Sequence, residues 1–146
     1  MNNMDKKRDF AAAEMYLNGF LGSDNRTVAE IVAVDKAEIE QLGHKMETVV
    51  SRMKEITAAA RVGLGSWIRI NDKIESMVEE AKGVIECPFE SNVSLDKRIT
   101  IVRDKQTGKM IKWSDLNLHL AAKHGFFEGK GAFFRIEPKE LTEMIF

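Results

Sequence analysis

The chain has 146 residues, with 22 Lys and Arg against 23 Asp and Glu, 44% hydrophobic residues and a single cysteine. That length fits one domain, or a domain with a helical arm, and buries enough apolar surface to fold without disulfides. The composition excludes a disordered chain and a disulfide scaffold, and no apolar run approaches the ~18 residues of a membrane span. Lone Cys87 sets a reducing, cytoplasmic location as the expectation, and the polar stretch Met1–Phe10 does not read as a secretory leader.

Phe10, Ala13, Leu17 and Phe20 recur at helical spacing between Asp5 and Leu21, ahead of stop signals at Asn18-Gly19 and Gly22–Asn25. Between Arg26 and Val62, Ile39, Leu42, Met46, Val49, Met53, Ile56 and Ala60 step by alternating threes and fours. This a/d rhythm predicts one long helix, with Asp35 interrupting its seam and Gly43 weakening its interior. A helix-turn-helix over Thr27–Leu42 is the alternative. It lacks the glycine of the turn, because Ala33 stands there, and it would turn Glu38 and Glu40 toward phosphates. After Gly63–Ser66, Trp67, Ile70, Ile74, Met77 and Ala81 repeat the rhythm and predict a second helix up to Gly83.

Two such helices fold back as an antiparallel heptad-patterned hairpin. The longer one, roughly 50 Å, outruns its partner. That mismatch predicts a homo-oligomer assembled through the helical arm in coiled-coil fashion, with a monomeric three-helix bundle as the other solution.

Beyond Gly83 the character changes. Val84–Phe89 reads as an extended lead-in. Arg98–Arg103 and Lys109–Trp113 flank a polar tip ending in Gly108, a β-hairpin signal that puts Ile99, Ile101, Ile111 and Trp113 on the inward face. Ser114 caps a helix ended by Gly125, Ala132–Ile136 reads as a third strand, and Glu137-Pro138 opens a last helix. The predicted fold class is α+β: an N-terminal helical arm (a helix plus the long helical hairpin, residues 1–83) followed by a small ββαβα head (residues 84–146).

From Asp96 to Arg135 there are nine basic and four acidic residues, a net of +5 that leaves −6 for the rest. A basic head on an acidic arm points to phosphate-dominated binding of DNA or RNA by a non-enzymatic accessory or regulatory protein. Its contact residues would be Arg103, Lys105, Lys109, Lys112, Lys123, Lys130 and Arg135. The alternative is a protein–protein adaptor or inhibitor. It would use the aromatic-glycine loop through Phe127 and Phe134, or the Met-bearing seam through Met46 and Met53. No nucleophile elbow, Walker loop or dinucleotide fingerprint is present, so no catalytic residue and no cofactor is assigned.

Cys87, His119 and His124 are the soft metal-ligand types of the head. One Cys and two His make at most three ligands, and the histidines lie five residues apart, ~140° around a regular helix. On that count no metal site is expected, and His124 reads as satisfying carbonyls at the helix end beside Gly125.

Overall fold

The computed structural model describes residues 19–146, so the helix expected over Asp5–Leu21 lies, up to residue 18, outside the described residues. The elements run α1 (Val28–Gln41), α2 (Met46–Arg61), β1 (Ile68–Arg69), β2 (Ile74–Glu86), β3 (Ser94–Asp104), β4 (Met110–Ser114), α3 (Asp115–His124) and α4 (Pro138–Ile145). The strands form one antiparallel sheet in the order β1-β2-β3-β4, with α2 packed on β2 and α3 on β3. The mixed helix-and-sheet class is as the sequence predicts, but the long helical hairpin is not.

α1 starts on a reciprocal cap: Thr27 Oγ1 accepts from Glu30 N at 3.1 Å while Glu30 Oε1 accepts from Thr27 N at 3.2 Å. It stops at Leu42, because Gly43 takes φ +87°, a conformation that glycine alone adopts without strain. The chain turns there and restarts as α2, so the expected rod is two helices. The seam residues Val49, Met53, Ile56 and Ala60 still form the buried face of α2.

The second expected helix is a strand. Asn71 Oδ1 accepts from the backbone N–H groups of Lys73 and Ile74, both at 2.9 Å, and closes a turn where a helix would need its own carbonyls. β2 then buries Ile74, Ser76 and Val78 in strict alternation. The heptad spacing and this alternation share Ile74, and long-range pairing decides between them. Glu75 lies directly opposite Arg103, and Glu80 directly opposite Arg98; both pairs are hydrogen-bonded ion pairs. The pairing is interrupted between Ala81 and Val84 by a bulge whose Gly83 has φ +99°. β2 runs through residues 83 and 84, where the arm was expected to end. The unmatched helix length behind the expected self-association has no counterpart among the described residues.

The hairpin, the Ser114-capped helix and the Pro138 helix form where the sequence places them. Ala132–Ile136 is irregular, not a strand. The inward face of β3 also differs. Thr100 and Val102, not Ile99 and Ile101, face α2 together with Trp113. The reason is a polar chain inside the core: Trp113 Nε1 donates to Thr57 Oγ1 at 2.9 Å, and the Thr57 and Thr100 hydroxyls share a 2.7 Å bond. Each buried polar group is satisfied by the next.

Asp35, the break in the α1 seam, is buried at 1% exposure and accepts from both terminal nitrogens of Arg135. Arg135 also donates to Glu137 and to the Glu128 carbonyl, at 2.8 Å for the latter, so the pair is bidentate and hydrogen-bonded on all sides.

Thr57→Val keeps shape but strands the Trp113 indole N–H and the Thr100 hydroxyl. It should lower unfolding free energy by about 2–3 kcal/mol in urea titration. Burial pushes the Glu128 carboxyl up to about 7 against the 4.5 of an ordinary glutamate, with only the Asn117 amide, 2.8 Å from Oε2, opposing. Between those values the native chain holds a proton that the unfolded chain has lost. The contribution of Glu128 to stability is therefore fully present below about 4.5 and is lost as pH rises through about 7. Glu128→Gln should flatten that fall by about 2–3 kcal/mol in denaturant titrations across this pH range.

Candidate metal centre

β2 ends at Glu86, and the connection to β3 begins Cys87-Pro88-Phe89-Glu90. Cys87 N donates to Val93 O at 2.9 Å, which closes the loop, and Val93 N donates back to Glu90 O at 3.2 Å. Within it the Phe89 backbone N–H donates to Cys87 Sγ at 3.4 Å. A backbone donor aimed at sulfur is the kind of outer contact that orients a metal-ligating cysteine.

α3 supplies the facing wall. Its start is fixed by the Ser114–Asn117 capping box, and its end by Gly125 at φ +64°. Phe126 N donates to Leu120 O and Gly125 N to Ala121 O, both at 3.1 Å, a pattern that locks the last turn. His119 and His124 are therefore held on a rigid helix end. Five residues do not put them on one face, yet their rings meet edge to face with centroids 5.6 Å apart. Both imidazole arms reach across to the loop, where the Nε2 atoms of His119 and His124 lie 3.1 and 2.7 Å from Glu90 Oε1.

His124 Nε2 is also 3.7 Å from Cys87 Sγ, and one donor atom from each of Cys87, Glu90, His119 and His124 lies within 4.8 Å of all the others. In a tetrahedral zinc site, bonds of ~2.0–2.3 Å place neighbouring ligand atoms roughly 3.2–3.8 Å apart. The observed separations bracket that range, so the donors reach tetrahedral positions by small side-chain adjustments. Cys87 is fully buried, against side-chain exposures of 13% for His119, 26% for His124 and 37% for Glu90. The hydrogen bond from His124 holds the Glu90 carboxyl below its ordinary value, with His119 adding to the effect and partial burial opposing it. Phe89 packs against both the His124 and Phe126 rings and closes the apolar side of the cluster.

Glu90 is the residue the sequence reading misses. The signal was a carboxylate three residues after the lone cysteine, in a proline-containing loop, and ligand counting confined to Cys and His passes over it.

The sequence-derived contact residues scatter. Lys105 and Lys109 lie in the exposed β3–β4 turn, and Lys130 is exposed in the loop before Ala132. Arg103 pairs with Glu75 and covers the Trp67 ring at 3.8 Å. Lys112 sits over the Phe133 ring at 3.6 Å and near Phe134. Arg135 is the buried partner of Asp35, and Lys123 lies on α3 beside the cluster. Phe127 and Met53 are fully buried in the main core, while Phe134 and Met46 are half-buried. In comparisons with known proteins, no family model, no curated protein and no solved structure matches this chain.

Proposed function

We propose that this chain is a zinc-binding protein in which Cys87, Glu90, His119 and His124 hold one ion that ties the β2–β3 loop to the end of α3. The role is binding or regulation, not catalysis. The observation that carries this reading is the convergence of four donor atoms, of three chemical types, within 4.8 Å. Thiolate and imidazole disfavour calcium and magnesium, and a four-donor S, N, N, O set suits the borderline character of zinc. Four protein donors complete a tetrahedral shell, whereas hydrolytic zinc centres keep a position for water. The partial exposure of Glu90 and His124 leaves the ion open to exchange with solvent, which suits reversible occupancy.

Contact with nucleic acid is a second reading, favoured by Lys54, Arg61 and Lys123, which line one cleft together with His119. The adaptor reading retains Phe134 and Met46 as reachable anchors.

Titration with Co²⁺ in place of zinc should give the visible bands of tetrahedral cobalt and a thiolate charge-transfer band, saturating at one ion per chain. Cys87→Ser should remove the charge-transfer band, and His119→Ala should weaken binding at least tenfold. Absence of tetrahedral bands at stoichiometric metal, or a thiolate band that survives in Cys87→Ser, refutes the site. Removing metal with a chelator from protein held in free zinc at about a hundred times Kd should cost about 3 kcal/mol. A thermal scan would read that as a fall of roughly 10 °C in Tm.

A further inference from the structure

α2, β3 and α3 enclose a cleft of about 380 Å³ next to the metal cluster, with His119 forming part of the wall between them. Lys54 and Arg61, seven residues apart on one face of α2, line one side. Lys123 projects from α3, and Arg98 from β3. Lys54, Arg61 and Lys123 are exposed and form no ion pair among the described residues. The one acid of the lining is Asp115. Its Oδ2 accepts from Arg98 at 2.7 Å, and its Oδ1 is buried with no hydrogen-bond partner. Arg98 is already engaged by Asp115, Glu80 and Asp96, so the cations left to face the cleft are Lys54, Arg61 and Lys123, in a concave space whose low-dielectric walls concentrate the field. Burial raises the Asp115 carboxyl above its ordinary value, and the charge of Arg98 opposes that rise. Ala58, Leu118 and Ala122 provide an apolar floor.

Sequence patterning does not reveal this group. Lys54 and Arg61 belong to the stretch that reads as an acidic arm, and they meet Arg98 and Lys123 only because α2 lies beside α3. From these observations we propose that the cleft between α2 and α3 binds a phosphate group carried by a nucleotide or a nucleic-acid strand, with Lys54, Arg61 and Lys123 as its contacts. A guanidinium fork beside two ammonium point charges suits the geometry and charge of a phosphate. The volume lies at the lower end of small-ligand sites, which admits one nucleotide unit. The inference goes beyond the zinc reading and does not depend on it, because the cations stand on α2 and on α3 positions that bind no metal.

The test is fluorescence anisotropy of a labelled single-stranded 12-mer with the zinc-loaded full chain. A nucleoside 5′-monophosphate and poly-glutamate serve as competitors. Three phosphate contacts predict a salt slope of about −2, a loss of roughly 20-fold between 50 and 200 mM salt. Lys54→Ala/Lys123→Ala should weaken binding at least tenfold, whereas Lys105→Ala/Lys109→Ala should leave it unchanged. Displacement by the monophosphate identifies a free nucleotide as the source of the phosphate. Binding of the 12-mer without such displacement identifies the strand.

No binding at 50 mM salt, unaltered binding in the cleft variant, or equal competition by poly-glutamate overturns the proposal. Loss in the Lys105/Lys109 variant alone also overturns it and returns the contact to the β3–β4 turn. The cobalt spectrum of the cleft variant reports the metal site separately, so failure of either reading is distinguishable from failure of the other.

Discussion

The indole of Trp113 is fully buried and its N–H must be satisfied inside the core. Thr57 of α2 accepts it and is joined in turn to Thr100 of β3. This chain of three side chains fixes the rotation of α2 about its axis, the face that β3 turns inward and the depth of β4. A slip of one residue in β3 would place Ile99 or Ile101 opposite Thr57 and leave two polar groups stranded. Hydrophobic burial alone would accept either face of β3, since both carry branched apolar residues. The hydroxyl pairing chooses between them.

The placement of α3 follows from that choice. β4 leads directly into Ser114 and the helix cap, so fixing Trp113 also fixes where Asp115–His124 begins. The long β2–β3 pairing carries Glu86 to the far end of the ribbon, and the loop starting at Cys87 returns over the last turn of α3. The four-ligand cluster therefore lies where two separately determined elements meet. The same helix carries His119 of the donor cluster and Lys123 of the cleft lining, so the two candidate sites share one support.

What could be read from the sequence was local. The cap at Ser114, the glycine stop at Gly125, the Gly108 hairpin tip and the Pro138 helix start are each decided within a few residues, and each forms as expected. Residues 67–83 were misread because the apolar positions of that stretch fit helical and extended periods alike, and the deciding partners, Arg98 and Arg103, lie some 18 to 28 residues away. The break at Gly43 was visible as a weakness, but a single glycine does not announce that its backbone will turn left-handed. Asp35 looked like a flaw in a seam, because its partner Arg135 comes from the other end of the chain. Cys87, His119 and His124 stood out by residue type. Their convergence, and the part of Glu90, depend on three-dimensional proximity that spacing along a helix argues against.

The two halves of the metal cluster come from segments about thirty residues apart in sequence, one at the end of a ribbon and the other on a helix. An ion bound there acts as a removable cross-link, closing a loop in the chain that a small secreted protein would close with a disulfide. For a loop of that length the unfolded ensemble loses conformational freedom worth about 3–4 kcal/mol on the chain-entropy account. On the proposed reading, a single cysteine would give the fold a tether that needs no second thiol and no oxidising surroundings, and whose strength would follow the supply of metal.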